Sequence, residues 1–146
     1  MNKTRWVVAS IVVAVVVTAI ESVFHGFLLR GIYEATAAIW RPYADMARLT
    51  PYGWVSTLIT SFILVYIYHK GYEGKGSALA EGLRFGLIIG LFTAIPMSVW
   101  SYITIPMPLR LSCYWFCIGM LDMLVAGALI GLIYKKAGAT VPSVSH

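Results

Sequence analysis

Four long apolar runs constrain the fold of this chain more than any other feature. They cover about residues 6–29, 52–68, 85–105 and 112–134. A helix needs about 20 apolar residues to cross a bilayer, and these runs lack the alternation of apolar and polar residues that barrel strands show. Only 12% of the residues are charged, against about 25% in soluble domains. The sequence therefore predicts an all-α fold, with one four-transmembrane-helix bundle domain over residues 1–136 and a polar tail over 137–146.

The distribution of lysine and arginine predicts the orientation of the four helices. One side of the membrane would carry Lys3, Arg5, Lys70, Lys75, Arg84, Lys135 and Lys136. The other side would carry Arg30, Arg41, Arg48 and Arg110. Because cytoplasmic loops are richer in these residues, we expect both termini in the cytoplasm and the protein in the cytoplasmic (inner) membrane of a bacterium. The basic residues thus indicate orientation in the lipid bilayer, and no nucleic acid partner is expected.

The segment over residues 30–50 is the longest polar stretch between two runs. Its mixture of aromatic and charged residues predicts a short helix lying in the outer membrane interface. Thr50 and Pro51 suit the cap and first turn of the second span. The tryptophans are expected to anchor the chain in the aromatic belts, with Trp6 at the inner interface and Trp40, Trp54, Trp100 and Trp115 at the outer one. The first run is longer than the core of a signal peptide, so we expect a retained signal-anchor helix.

Three ionisable residues fall inside the predicted spans, namely Glu21, His25 and Asp122. Such residues are costly in a membrane and indicate function. At about 1.5 Å per residue, Glu21 lies about 13 Å below the outer boundary, His25 about 7 Å and Asp122 about 15 Å. Two carboxyl groups at one depth, on neighbouring helices, would share a proton or a cation. We expect a structural role first, with a protonated Asp122 or with His25 bonded to Glu21 in its own helix; the alternative is a proton, ion or ligand site formed by these residues.

Cys113 and Cys117 lie one helical turn apart in the fourth run. With His25 they form a weak candidate for a metal site, because thiolate sites usually contain a Cys-x-x-Cys pair or several histidines. Two thiols on one face of a helix make a poor disulfide. A buried His25 would also be a candidate ligand for haem or chlorophyll magnesium. The sequence specifies no cofactor.

Pairs of glycines predict close helix packing near the cytoplasmic ends of the last two spans. The pairs are Gly86 with Gly90 and Gly127 with Gly131. Because this spacing lets two backbones approach, we expect the third and fourth helices to pack tightly there, or one pair to face another subunit. Pro96 is expected to kink the third helix and free the carbonyl of Phe92. The glycine-rich segment 71–77 lacks the Walker spacing and predicts a tight turn.

Several short motifs together resemble a known group of proteins. They are Gly53-Trp54, Gly71, Glu81-Gly82-Leu83-x-x-Gly86-Leu87, a Pro-Met step, a proline-rich outer turn and Ala126-Gly127-Ala128-Leu129-Ile130-Gly131. The pattern covers most of the chain and resembles uncharacterised bacterial families of small four-helix integral membrane proteins, known as domains of unknown function. This resemblance implies the architecture and no mechanism.

A second resemblance is to the small multidrug-resistance transporters, which are four-helix proteins with a glutamate in the first helix. Here Ala19-Ile20-Glu21-Ser22 occupies a similar place, and the likeness implies transport. The chain departs from that family in its long outer loop and its asymmetric lysines, and it adds His25 and Asp122.

Three functions follow from these features. The leading prediction is an accessory or structural subunit of a membrane complex, or a self-associating bundle, because the chain is small and has no catalytic constellation. The first alternative is a transporter or proton-coupled carrier that uses Glu21 and Asp122. The second is a metal- or cofactor-binding protein built on His25 and the cysteines. An enzyme is not favoured, because no nucleophile has an identifiable base and orienting partner.

Overall fold

The computed structural model describes residues 2–74 and 76–134, and this part of the chain is helical, with no β-strand. The helices are α1 (Lys3–Val23), α2 (Arg30–Ala35), α3 (Tyr43–Gly71), α4 (Ala78–Thr104) and α5 (Leu109–Tyr134), with a π-helix at Phe24–Leu28 and a 3₁₀ turn at Ala37–Ile39. All but α2 are long and apolar enough to cross a membrane. The prediction of an all-helical chain with four candidate spans is confirmed. The tail over 137–146, and three of the lysines used for orientation (Lys75, Lys135 and Lys136), lie outside the described residues.

Two of the helix starts are set by side-chain caps. The Asn2 side chain accepts a hydrogen bond from the Arg5 backbone N–H at 3.1 Å, and the Ser77 hydroxyl accepts one from the Ala80 N–H at 3.1 Å. Each cap supplies a partner for an N–H that the first helical turn leaves unpaired. The turn between α3 and α4 is tight, with Gly74 and Gly76 at φ of 70° and 88°, a region that glycine enters without strain.

All four long helices begin earlier than the sequence predicts, and the differences are largest for α3 and α4. α3 begins at Tyr43 and passes through Pro51 instead of starting there. Proline leaves the carbonyl four residues back, that of Ala47, without its helical partner. Residues 43–56 are all exposed, so water or lipid headgroups can satisfy that carbonyl. α4 begins at Ala78, about two turns before the predicted position, because Ser77 caps it; the polar residues Glu81 and Arg84 belong to its first turns.

The helices are ordered in space as α3, α1, α5 and α4. The α4–α5 interface is the most extensive, and α1 packs against both α3 and α5. Small residues explain the close approach of α4 and α5, because a Cβ added to Gly127 would overlap the carbonyl oxygen of Gly82 and one added to Gly86 would overlap that of Met123. Farther along the same interface, the Ser112 hydroxyl donates to the Ser98 carbonyl at 2.8 Å.

The apolar core has two parts, one toward each end of the bundle. We call the end that carries α2 the α2 side, and the end that carries the α3–α4 turn the turn side. The turn-side cluster includes Val13, Val65 and Ile130, all nearly inaccessible. The α2-side cluster includes Leu29 and Leu111. The three ionisable residues of the predicted site lie between these two clusters along α1 and α5.

Candidate functional site

Glu21 on α1 and Asp122 on α5 form a carboxyl pair. The two helices are neighbours, and the two carboxyl groups lie within hydrogen-bonding range of each other. Asp122 is only 3% exposed, whereas 45% of the Glu21 side chain is accessible. One oxygen of Asp122, Oδ1, is buried without a hydrogen-bond partner among the described residues. Because two adjacent carboxylates cannot both be ionised cheaply away from water, the pair is a candidate site for a shared proton or a cation.

His25 extends this pair toward the α2 side. Its Nε2 atom lies 3.1 Å from Oε2 of Glu21, one helical turn away. The ring stands on the π-helix at Phe24–Leu28, where the Leu29 N–H bonds to the Phe24 carbonyl five residues back at 2.8 Å. Such single-turn π-helices occur frequently at functional sites. Here the π-helix ends the first span and leads into α2.

Tyr33 on α2 continues the series of hydrogen bonds. Its hydroxyl lies 2.5 Å from Nδ1 of His25 and accepts a hydrogen bond from Nε1–H of Trp115 at 2.8 Å. An indole N–H only donates, so the Tyr33 hydroxyl is free to donate to Nδ1, and Nε2–H then donates to Glu21. With this tautomer every proton in the series points toward the carboxyl pair.

Aromatic rings hold Tyr33 in place. The Tyr33 and His25 rings stack with centroids 5.8 Å apart, and Trp40 meets Tyr33 edge-on at 5.5 Å. The Trp40 indole N–H donates to the Thr36 hydroxyl at 2.9 Å. Burial is the largest influence on the phenol and raises the pKa of Tyr33 above its ordinary value, with the charge of Glu21 adding to the rise and the hydrogen bond from Trp115 opposing it. Tyr33 therefore keeps its proton and serves as a donor.

A cavity of about 480 Å³ lies beside the carboxyl pair, between α1 and α3, and we call it the carboxyl cavity. Glu21, His25 and Asp122 line it on one side. The wall formed by α3 is rich in hydroxyl groups, from Ser56, Thr57, Thr60 and Ser61. Val13 and Leu64 line the cavity and also belong to the turn-side core, so apolar packing closes the cavity on that side.

A second cavity of about 900 Å³ lies on the α2 side, and we call it the aromatic cavity. Its walls include Tyr33, Trp40 and Trp115, together with Arg30 and Arg41. His25 lines both cavities. The hydrogen-bonded series from Trp115 to Asp122 therefore runs along the boundary between two cavities of different chemistry.

The other residues singled out from the sequence lie apart from this site. Cys113 and Cys117 are free and exposed. The described residues contain no group of three or more His, Cys, Asp or Glu side chains arranged to hold a metal. His25 and the two cysteines do not form such a group in this part of the chain, and the weak metal site stays a prediction.

Pro96 and the glycines also lie outside the site. Pro96 stands inside α4, which continues through it, and Phe92 lines neither of the two cavities described above. Gly86 and Gly127 lie in the α4–α5 interface, where Gly131 contacts Gly82. Gly90 faces the side chains of Met120 and Met123.

Sequence reasoning missed Tyr33 as a member of the site and treated Trp40 and Trp115 as anchors. Tyr33 was missed because no residue pattern in the sequence predicts the π-helix. The π-helix directs the chain so that α2 lies over His25. Sequence reasoning also passed over Glu81, which is 5% exposed. It lies just before the apolar run over 85–105 and was noted only as part of a short motif.

Comparison of the chain with protein-family models, with curated proteins and with solved structures gave no match. The resemblances to bacterial four-helix families and to small multidrug-resistance transporters stay predictions. The fold and the site define a helical chain with four candidate membrane spans that carries a hydrogen-bonded series from carboxyl pair to histidine to tyrosine.

Proposed function

We propose that this protein is a proton-coupled carrier of the cytoplasmic membrane, with both termini in the cytoplasm and Glu21 and Asp122 sharing the proton that it moves. The hydrogen-bonded series Asp122–Glu21–His25–Tyr33 supports this proposal most directly. A residue that only stabilised the fold would need one partner. Here four titratable or hydroxyl groups from three helices join in one series between two cavities.

The two nitrogen atoms of His25 allow a proton to pass between the cavities. Nδ1 faces Tyr33, on the side of the aromatic cavity, and Nε2 faces Glu21. When the Tyr33 hydroxyl passes its proton to Nδ1 and takes another from the aromatic cavity, Nε2 releases its proton to the Glu21 carboxylate. The ring and the phenol are then neutral again, and the carboxyl pair has gained one proton. Histidine suits this task because its unperturbed pKa lies near neutral pH.

The carboxyl cavity supports substrate binding next to the proton site. A cavity of about 480 Å³ is within the range of small-molecule sites. Its hydroxyl groups offer hydrogen bonds, and a negative carboxyl pair favours a cationic group. A cationic group and a proton would compete for the same carboxyl pair. Such competition is required if the carrier is to exchange a proton for a cationic substrate. Because apolar core residues line the turn side of the carboxyl cavity, we propose a state of the carrier in which this cavity opens only toward the α2 side.

Infrared difference spectroscopy tests the shared proton without a substrate. In lipid nanodiscs at neutral pH, the wild-type protein should show the carbonyl stretch of a protonated carboxyl group buried from water. We expect Glu21→Gln and Asp122→Asn each to remove or displace that band. Asp45→Asn, at an exposed carboxyl on α3 outside the site, is the matched control and should leave it unchanged. A band that persists unaltered in both site variants would refute the proposal.

A subunit role is the second candidate function, and one observation favours it. At about 1.5 Å per residue α3 is roughly 43 Å long, longer than the hydrocarbon core of about 30 Å. Its first turns are exposed and include apolar side chains, with Tyr43 at 82%, Met46 at 41% and Leu49 at 43%. A partner subunit or a second copy would cover this stretch. Native mass spectrometry from mild detergent tests this role, and a mass of one chain plus lipid would exclude it.

A further inference from the structure

In the proposed carrier, the substrate binds beside the carboxyl pair in the carboxyl cavity. The aromatic cavity is not part of that substrate site, although His25 lines both cavities. We infer that it is a second binding site, for an amphipathic anion whose phosphate or carboxylate group contacts Arg41 and whose apolar body lies against Tyr33, Trp40 and Trp115. This site goes beyond the proposed carrier function, and it does not require that function to be correct.

The volume and walls of the cavity fit a ligand with a flat or extended apolar body. Its volume is about 900 Å³, within the usual range for small-molecule sites. The Trp40 and Trp115 rings lie with centroids 6.1 Å apart, and Tyr33 adjoins Trp40. Both indole N–H groups already donate within the protein, to Thr36 and to Tyr33. The rings therefore present apolar faces to a ligand, and the ligand need not supply hydrogen-bond acceptors for the indole N–H groups.

The charge of the cavity favours an anion. Arg30 and Glu34 bind each other, with Nε and Oε1 2.7 Å apart, and so neutralise each other. Arg41 lines the same cavity and its side chain has no ion pair or hydrogen bond within the described part of the chain. One guanidinium group is thus left with its donors free, and a guanidinium matches the geometry of carboxylate and phosphate groups.

A cationic ligand fits less well. Aromatic walls can also enclose a quaternary ammonium group, but such a ligand would meet the unpaired charge of Arg41. The carboxylate that could offset this charge, Glu34, is already engaged by Arg30. The same anionic chemistry can come from the headgroup of a membrane lipid or from a soluble amphipathic acid, and the experiment separates the two sources.

Binding of 2-naphthoate to the full chain in phosphatidylcholine nanodiscs tests the inference, with empty nanodiscs subtracted. We expect 2-naphthoate to bind more tightly than neutral 2-naphthamide or the cation of 2-naphthylmethylamine. Arg41→Gln should weaken 2-naphthoate binding by roughly tenfold or more, the value of a charge-assisted contact. Arg48→Gln, at an exposed arginine outside the cavity, should leave affinity unchanged.

Nanodiscs that also contain phosphatidylglycerol identify the source of the anion. If this lipid competes with 2-naphthoate in the wild type, the natural ligand is a lipid headgroup; if affinity is unchanged, it is a soluble acid. The inference is overturned if 2-naphthoate does not bind in phosphatidylcholine discs, if the cation binds as tightly as the anion, or if Arg41→Gln and Arg48→Gln have equal effects. Failure here leaves the infrared test of Glu21 and Asp122 unaffected.

Discussion

At the scale of single residues, the site depends on which atoms donate and which accept. Trp115 can only donate, Tyr33 can do both, and the carboxylate of Glu21 can only accept. This order gives the series a direction from the aromatic cavity to the carboxyl pair. The raised pKa of Tyr33, caused chiefly by burial, keeps the phenol protonated through the physiological range and so preserves that direction when the pH changes.

Glu81 acts at the same scale at the other end of the bundle. One of its oxygens, Oε1, accepts hydrogen bonds from the backbone N–H groups of Glu73 and Gly74, at 2.7 and 3.0 Å. The other, Oε2, is buried and has no hydrogen-bond partner among the described residues. The carboxyl group therefore closes the turn between α3 and α4, and its second oxygen adds little to that task.

Substitutions at Glu81 should separate these two oxygens. Glu81→Gln retains an acceptor for the two amides and should change the free energy of unfolding by less than about 1 kcal/mol. Glu81→Ala leaves both amides without their partner and should lower it by about 1–3 kcal/mol. Thermal unfolding in detergent, followed by circular dichroism, measures both. Equal stability of the two variants would show that the turn does not depend on this acceptor.

At the scale of elements, the α4–α5 pair is the most closely packed unit. Its glycines allow backbone contact, since a Cβ on Gly127 would meet backbone atoms of Gly82 and Gly86. Backbone cannot move aside as the end of a flexible side chain can. The pair therefore serves as a rigid wall against which α1 positions Glu21 beside Asp122.

Alanine at Gly127 should force α4 and α5 apart. We expect Gly127→Ala to lower the free energy of unfolding by about 2 kcal/mol or more, the size typical of overlap in a packed interface. Gly53→Ala is the matched control, because nothing lies within 4 Å of a Cβ added there. It should be neutral, or stabilising by up to about 1 kcal/mol through helix propensity. Denaturant titration of both variants checks this, and a Gly127→Ala protein as stable as Gly53→Ala would contradict the packing.

At the scale of the whole molecule, the two apolar clusters determine where the site can open. The turn-side core seals the carboxyl cavity with residues such as Val13 and Leu64. Toward the α2 side, the wall formed by α3 is exposed from Tyr43 through Ser56. A carrier needs such an asymmetry, because a cavity open to both sides at once would be a leak.

Cysteine labelling tests the asymmetry in membrane vesicles of known orientation. In a background with Cys113 and Cys117 replaced by alanine, Ser56→Cys places a thiol on the wall of the carboxyl cavity. We expect a membrane-impermeant maleimide to label it from the α2 side. Ser10→Cys, at a fully buried position, is the matched control and should react from neither side. Labelling of Ser56→Cys from the turn side alone, or none, would show that the cavity does not open toward the α2 side.

Depth in the membrane and position along one helix could be predicted from the sequence, because both are distances along the chain. The four apolar runs predicted the four candidate spans. The four-residue spacing of Glu21 and His25 predicted their contact, and the count of residues from the helix ends placed Asp122 at the depth of Glu21. The start of α3 was wrong because Pro51 was treated as a boundary, whereas its exposed turn tolerates the missing hydrogen bond.

Which side chains contact each other across different helices was decided only by the tertiary structure. Glu21 lies near Asp122 because α1 packs beside α5. Core residues such as Val13 and Ile130 support this arrangement, which hydropathy does not encode. Tyr33 reaches His25 because a π-helix ends the first span and directs α2 back over it. Glu81 is buried where the turn between α3 and α4 packs against it, with the Glu73 and Gly74 N–H groups donating to its Oε1 atom. Each of these contacts depends on the order of the helices in space and on the rotation of each helix about its axis. Packing between helix surfaces determines that order and rotation. The apolar runs, in contrast, could be recognised in each helix separately.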